Sequence, residues 1–415
     1  MSAPPAAAVA RVAARHSLFW LVAGNLVGVW LAVVLLWPAV GDLLAPLTFG
    51  RWLPLHTDWH LYGWTALPVV GVLLAWCLDP RDPRGATHAR LGFAVWSAAL
   101  AVGGVTWLAG SVSGKLFLDW AGFARPLLPA AMLVLWGVLA RHTLARWPDL
   151  AASARAARAT LLALLLPVAP LLWWAEGPEV YPAVNPDSGG ATGAALLGST
   201  LGIVTIFLLL PPLLRAPRNA GPVGGRVAWT ALAASWVVFA LVDHGHTSHH
   251  SLAQIVSLGL LLLWVPLLGA FWLGHDWPAA ARPWVRAAVA WWALLVVSGW
   301  ASFLPGVSEA LKFTHGLVGH AHLAMAGVVT SANGLMLTAL SGRAAPRGVF
   351  FRWHAGCALH VAAMLVLGAV EQEHAAALFR SEAWTQALFG LRLVGGLLML
   401  EAAGRWLVDA WRADD

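Results

Sequence analysis

The chain has 415 residues, of which 60% are hydrophobic and 11% are charged, and its formal net charge is +6. Soluble domains average about half apolar and about a quarter charged residues, so this composition excludes an ordinary water-soluble fold. The positive charge is explained by membrane topology and gives no reason to expect a nucleic-acid partner.

Apolar runs long enough to cross a bilayer recur along the whole chain. A helix rises about 1.5 Å per residue, so roughly 20 apolar residues cross about 30 Å of hydrocarbon. The sequence predicts an all-α integral membrane protein, with twelve transmembrane helices in a single domain over residues 1–415. The predicted spans lie near 17–41, 55–78, 91–113, 126–140, 159–175, 190–214, 227–245, 251–273, 287–304, 315–341, 350–370 and 384–409.

Lysine and arginine predict the orientation of these spans. With a cytoplasmic N-terminus, 19 of the 25 Lys and Arg residues, Arg81 among them, fall on the cytoplasmic side, and Arg392 lies inside a span. The remaining five are Arg51, Lys115, Arg125, Lys312 and Arg380. Cytoplasmic loops are enriched in these residues, so we expect a multi-pass protein of a bacterial-type inner membrane with both short ends in the cytoplasm.

The first histidines that could bind a metal begin the second span, where His56 and His60 lie in the outer part of the membrane. Neutral imidazole is a common ligand of heme iron and of copper. Because residues four apart share a helix face, the spacing does not decide which of the two is an axial ligand.

A second cluster closes the predicted seventh span, again near the outer side. It contains His244, His246, His249 and His250. In a helix His249 and His250 lie about 100° apart, so both can reach one small ion at a helix end. His246 precedes them by three and four residues and would share their face. A polar outer loop is the alternative.

The third cluster, His315, His320 and His322, opens the predicted tenth span at the same depth. Residues two apart on a helix point about 200° away from each other, so His320 and His322 cannot bind one iron together. Each can bind a different heme, one on either face of the helix. The alternative is a packing face of small residues with two hydrogen-bonded histidines.

Other histidines give weaker signals. His360 and His374 are ambiguous. Five more fall at cytoplasmic ends or in cytoplasmic loops, where we expect surface or snorkelling roles; they are His16, His88, His142, His275 and His354. Neither Cys77 nor Cys357 belongs to a C-x-x-C-H motif, which excludes covalently attached c-type heme by that motif.

These clusters resemble subunit I of the heme-copper oxidase superfamily, closest to C-family cytochrome c oxidases and nitric oxide reductases. The segment from Arg51 to Thr57 resembles their second-helix start, and Gly319-His320-Ala321-His322 resembles their tenth-helix signature. His249-His250 resembles their seventh-helix metal pair.

The resemblance implies two hemes of b-type-like character and a copper or non-heme iron ion. It implies that His320 binds a high-spin heme, and that His322 binds a low-spin heme opposite His56, which it favours over His60. His249 and His250 would bind the second metal, and their spacing offers His246 or His244 as a third ligand. His320, His249 and His250 would be the catalytic residues.

The function that the resemblance implies is electron transfer from the low-spin heme to a centre that reduces a diatomic gas, O2 by family default. A cytochrome c or a cytochrome-containing subunit would donate the electrons on the outer face. The alternatives are a nitric oxide reductase, which forms N2O, and a heme-binding sensor or electron-transfer subunit without a working binuclear site. A transporter with incidental histidines would not explain their shared depth.

The sequence departs from the family pattern around the second metal. The sixth span contains no histidine, so the family's first copper ligand is missing. The chain has two tyrosines, Tyr62 and Tyr181, and Thr247 stands where a C-family oxidase would place its active-site tyrosine. Glu176 and Glu179 are candidates for the glutamates of nitric oxide reductases, or are solvated loop residues.

Overall fold

The structure, a computed structural model, describes residues 5–79, 82–219, 224–374 and 380–412. Arg81, which the topology prediction counts, lies outside the described residues. Helices form nearly all regular structure in these ranges, which contain two isolated β-bridges and no strand. The predicted all-α class is therefore confirmed for the described residues.

Eleven helices in these ranges have at least 18 residues and are apolar enough to cross a membrane. A further apolar helix, Gly225–Leu241, has 17 residues, so the predicted count of twelve spans is not confirmed. We number all of these helices in chain order. They are α1 Ala7–Leu36, α2 Phe49–Cys77, α3 Gly85–Leu108, α4 Gly122–Ala145, α5 Ala152–Ala175, α6 Gly193–Leu213, α7 Gly225–Leu241, α8 Leu252–Leu273, α9 Arg282–Ala301, α10 His315–Ser341, α11 Val349–Glu371 and α12 Ala383–Arg412.

Unit 1 is one of two compact units of the chain. It comprises Met1–Tyr181, Met336–Arg352 and Met399–Asp415. Within it α1 packs against α2 and α3, and α3 packs against α4. The large indole rings of Trp64 and Trp107 are fully buried in this unit.

Unit 2 comprises Pro182–Leu335 and Trp353–Leu398. In it α6 packs against α7 and α8, and α9 packs along α10. Its core contains buried tryptophans whose indole N–H groups find oxygen acceptors. Trp264 donates to Ser235 Oγ at 3.2 Å, and Trp292 donates to the Trp264 carbonyl at 2.9 Å. Such a partner is what allows an indole to be buried at little cost.

Helix α7 ends four residues earlier than the predicted span, at Leu241. The Asp243 carboxylate accepts hydrogen bonds from Gly245 N and Thr247 Oγ, each at 2.8 Å. Such local side-chain bonds compete with the helical ladder. The prediction that the histidine cluster closes the seventh span is therefore wrong: His244 to His250 lie in the connection between α7 and α8.

Two helices contain a π-helical turn beside predicted heme ligands. One covers Trp59–Thr65 in α2 and includes His60, and the other covers Leu323–Val329 in α10 and directly follows His322. A π turn is rare because its hydrogen bonds are less favourable, and it recurs at functional sites. The hydrophobic pattern gives no sign of either turn.

Candidate heme-ligand and metal sites

Helix α10 presents its two predicted heme ligands to different neighbours within unit 2. The helix begins at His315, where the Thr314 side chain caps it by accepting from Gly316 N at 3.1 Å. His320 Nδ1 lies 3.2 Å from Ser298 Oγ of α9. The His322 ring packs on the His360 ring of α11, with 4.4 Å between centroids. The two rings therefore point to different sides of α10, as their spacing predicts.

The hydrogen bonds of both rings fix the nitrogen that carries the proton. His322 Nδ1 lies 2.8 Å from the Val318 carbonyl, which can only accept, so Nδ1 is the donor. Ser298 donates its own hydrogen to the Leu294 carbonyl at 2.7 Å and must accept from His320 Nδ1. In both neutral rings Nε2 thus holds the lone pair, which is the form that binds heme iron.

In unit 1, His56 and His60 both form hydrogen bonds through Nδ1 to backbone carbonyls. His56 Nδ1 donates to the Gly24 carbonyl at 3.0 Å, which leaves the lone pair on Nε2. His60 Nδ1 donates to the His56 carbonyl at 2.6 Å, and its Nε2 lies 3.2 Å from the Asn25 side-chain amide. The two rings therefore have different hydrogen-bond partners.

Glycines of α1 let these two rings approach that helix. A Cβ atom on Gly28 would lie 2.6 Å from His56 Cε1, and one on Gly24 would lie 2.5 Å from His60 Cε1. Any side chain at these positions would displace the imidazoles. Small residues thus place the rings, a role that composition alone does not reveal.

The small residues around His320 and His322 serve helix packing. A Cβ atom on Gly319 would lie 2.9 Å from Met364 Cβ of α11, and one on Gly327 would lie 2.8 Å from Trp291 of α9. Gly316 likewise meets Gly368. The small residues therefore allow α9 and α11 to approach α10 closely.

The histidine pair between α7 and α8 converges on a carboxylate of unit 2. Glu309 Oε1 lies 2.8 Å from His249 Nε2 and 3.1 Å from His250 Nε2. The His249 side chain is fully buried, whereas those of His250 and Glu309 are partly exposed. Two imidazole nitrogens and a carboxylate meeting at one point form a donor set suited to a transition metal.

Glu309 is a functional candidate that the sequence does not indicate. It lies 60 residues from His249 along the chain, on the short helix Val307–Leu311. Its second oxygen accepts from Gly306 N at 2.6 Å, which fixes the carboxylate. The pKa of Glu309 is lowered to about 2, first by the hydrogen bond to its own backbone and then by His249. The side chain is therefore a carboxylate at neutral pH.

The segment before α6 orients His249 from its other side. Asn185 Nδ2 lies 2.7 Å from His249 Nδ1, and Asp187 Oδ2 lies 3.7 Å from the same nitrogen. Asp187 also accepts a hydrogen bond from Ser248. Thus the segment that precedes the predicted sixth span, a span that lacks the family's histidine, places an amide and a carboxylate beside the metal pair.

His246 and His244 have other contacts. His246 Nδ1 accepts from Val184 N at 3.1 Å, and His244 Nε2 lies 3.0 Å from the Phe239 carbonyl. Three described residues at this site have ligand atoms within 4.8 Å of one another: Asp187, His249 and His250. The carboxylates, rather than a third histidine, lie beside the pair.

Neither of the two glutamates that the sequence places near the outer end of the sixth span, Glu176 and Glu179, lies in unit 2. Glu179 is exposed, whereas the Glu176 side chain is 1% exposed and belongs to unit 1. Asp58 and Asp119 are buried in the same unit. Among the described residues, no hydrogen-bond partner reaches the carboxyl oxygens of Glu176, whereas Asp58 and Asp119 are within hydrogen-bonding range of each other. Burial raises the pKa of Asp119 to about 6 and that of Glu176 to about 8, the latter against an opposing effect of Arg125.

The raised pKa of Glu176 predicts a pH-dependent stability. An unfolded chain ionises this group above about pH 4.5, but the folded chain keeps it protonated up to about pH 8. Stability is therefore lost as pH rises between these values. We expect Glu176→Gln to match the parent near pH 4.5 and to exceed its Tm at pH 8 by about 3 °C or more. Thermal unfolding in detergent measures this difference, with exposed Glu179→Gln as the control. A difference that does not depend on pH would contradict the prediction.

Comparison with known proteins supports the fold alone. No protein-family model matches the sequence, and no curated protein matches it. One solved structure that matches is a cryo-EM structure of a heme-copper terminal oxidase dimer, with a TM-score of 0.54 and 11% sequence identity. The match covers 99% of this chain and 84% of the other. The chain therefore has a fold like that of a heme-copper terminal oxidase and is a multi-pass membrane protein.

Proposed function

We propose that this chain is a membrane oxidoreductase of the heme-copper oxidase type, which reduces a diatomic gas. The observation that carries the proposal is the convergence of His249 Nε2 and His250 Nε2 on one carboxylate oxygen of Glu309. The same unit holds His320 and His322, whose Nε2 atoms carry lone pairs on different faces of one helix. The oxidase-like fold supports the same assignment.

The residues divide into two ligand sets. His320 is proposed as the ligand of a high-spin heme, and His322 and His56 are proposed as ligands of low-spin heme. His249 and His250 are proposed to bind copper or non-heme iron. When bound, these groups supply one-electron redox chemistry and an open coordination position for the diatomic ligand.

The chain's own side chains prepare the second metal site. Glu309 Oε1 accepts the proton carried by His249 Nε2, and this proton must leave before that nitrogen can bind a metal. With a metal on Nε2, His249 Nδ1 would carry the proton, and the Asp187 carboxylate, 3.7 Å away, would be its acceptor, because the Asn185 oxygen already accepts from Asp187 N and His249 N. Glu309 is partly exposed, so the released proton can pass to solvent.

One observation favours nitric oxide over oxygen as the substrate. Both tyrosines belong to unit 1, where Tyr62 donates to the Phe117 carbonyl at 2.6 Å and Tyr181 lies beside Lys115. Thr247 instead donates to Asp243. Reduction of two NO molecules to N2O and water consumes two electrons and two protons, and it needs no tyrosine as an additional donor. The resemblance to nitric oxide reductases also implies a glutamate beside the second metal, and Glu309 lies beside His249 and His250.

The electron donor is proposed to be a separate protein. The sequence contains no C-x-x-C-H motif for a covalently bound heme. A cytochrome c or a cytochrome-containing subunit, docking on the face predicted to lie outside the cytoplasm, would fill this role.

Optical spectra of the protein purified in detergent test the proposal. We expect two hemes per chain, one six-coordinate and one five-coordinate, with carbon monoxide shifting the spectrum of the second only. Consumption of NO and of O2 by the reduced protein then identifies the substrate. A single heme whose spectrum does not change with carbon monoxide would support an electron-transfer subunit instead. A protein without heme would overturn both the oxidoreductase and the electron-transfer proposals.

A further inference from the structure

A second cluster of metal-binding side chains lies in unit 1, outside the predicted heme and copper layer. It comprises Asp82 in the connection between α2 and α3, His88 in the first turns of α3, and His142 near the end of α4. His88 Nδ1 lies 3.0 Å from His142 Nε2. Asp82 Oδ2 lies 4.0 Å from His88 Nδ1 and 3.9 Å from His142 Nδ1.

His142 does not have the surface role expected for a histidine at a cytoplasmic helix end. Its side chain is 0% exposed. Its Nδ1 atom is buried and has no hydrogen-bond partner among the described residues. Burying an imidazole nitrogen without a partner costs free energy, and the Asp82 carboxylate lies near this nitrogen, with Oδ2 at 3.9 Å.

The neighbours of His142 are held in place by the fold. Asp82 Oδ1 accepts from Arg84 N at 2.8 Å, which sets the turn before α3 and leaves Oδ2 toward the two rings. The imidazole rings of His88 and His142 lie 5.1 Å apart, centroid to centroid. At 3.0 Å the facing nitrogens accommodate one proton between them or one metal ion in place of it.

We propose that Asp82, His88 and His142 form a binding site for a divalent transition-metal ion of the zinc class. Ligand atoms of the three residues lie within 4.8 Å of one another. Neighbouring ligands of a tetrahedral zinc ion lie about 3.3 Å apart, since each bond is about 2.0 to 2.1 Å long. Small adjustments of the partly exposed Asp82 and His88 side chains reach that geometry.

The donor set selects among metals. Two imidazoles suit zinc, nickel and copper, whereas calcium and magnesium prefer oxygen ligands. Three protein ligands leave a fourth position for water. An ion here would join the connection before α3, the start of α3 and the end of α4, three places separated by up to 60 residues in sequence. In the predicted topology this site faces the cytoplasm, so the ion would come from that side.

Equilibrium dialysis of the full-length protein in detergent against radioactive zinc tests the proposal. We expect the parent to bind one more zinc ion than His88→Ala or Asp82→Asn, each of which should weaken this site by about 100-fold or more. X-ray absorption at the zinc edge should give nitrogen and oxygen neighbours, with imidazole scattering that His88→Ala reduces. Both variants change partly exposed side chains, so the buried His142 remains in place for folding.

His275→Ala is the matched control, because it removes another histidine predicted on the cytoplasmic side and should keep the zinc. His249→Ala tests independence, because it removes a ligand of the other proposed metal site and should also keep it. Loss of this zinc in His249→Ala, or equal zinc in the parent and in both cluster variants, would overturn the proposal. In that case the histidines form only a hydrogen bond.

Discussion

His322→Ala will remove the six-coordinate heme signal, and His320→Ala will remove the heme signal that carbon monoxide shifts. Each ring holds its lone pair on Nε2, and each lies on a different side of α10. Losing an axial ligand should weaken the affinity of that heme by about 100-fold or more, because changes to residues beyond the ligands already cost about 10 to 100-fold. Reduced-minus-oxidised spectra, with and without carbon monoxide, measure both signals in one preparation.

The two variants control for each other, since a folded chain should keep the heme bound through the unchanged histidine. His315→Ala is a further control on the same helix, where His315 Nδ1 lies 3.0 Å from Glu371 and no ligand role is proposed. Loss of both signals in each variant would mean that α10 needs the rings for folding. Retention of the six-coordinate signal in His322→Ala, with its loss in His360→Ala, would reassign the ligand to the neighbouring ring.

The presence of the membrane-spanning helices and the opposite orientation of His320 and His322 could be predicted from the sequence, because each depends only on residues close together in the chain. Apolar length identifies a span, and two-residue spacing places His320 and His322 on opposite sides of a helix. The end of α7 was missed because Asp243 competes with the helical ladder, which hydropathy does not register. Hydropathy also does not register the π turns beside His60 and His322, so the sequence does not predict them.

The surroundings of the metal ligands could not be predicted because they depend on distant segments. Glu309 contacts His249, which is 60 residues away in the sequence, and His88 contacts His142, which is 54 residues away. No periodicity links such positions. The partners of His56 and His60, the carbonyl of Gly24 and the side-chain amide of Asn25, are likewise contributed by a different helix, α1.

Replacing Glu309 by glutamine will lower the affinity of the His249 and His250 site for its metal by about 10 to 100-fold. Glutamine keeps the size of the side chain and an oxygen that can face both imidazoles, but it removes the negative charge. Turnover with NO or O2 should fall in proportion to the metal lost. Metal analysis by mass spectrometry, together with heme spectra of the same sample, separates loss of the metal from loss of the hemes.

A purely structural role for Glu309 predicts a different pattern. Its Oε2 atom accepts from Gly306 N at 2.6 Å, so the carboxylate could serve only to cap that turn. In that case Glu309→Gln would lower Tm but retain full metal content, while His249→Ala would still lose the metal. If the carboxylate acts on the metal, the heme spectra and Tm of Glu309→Gln stay close to those of the parent while the metal is lost. Exposed Glu179→Gln, a glutamate of unit 1, should change neither quantity.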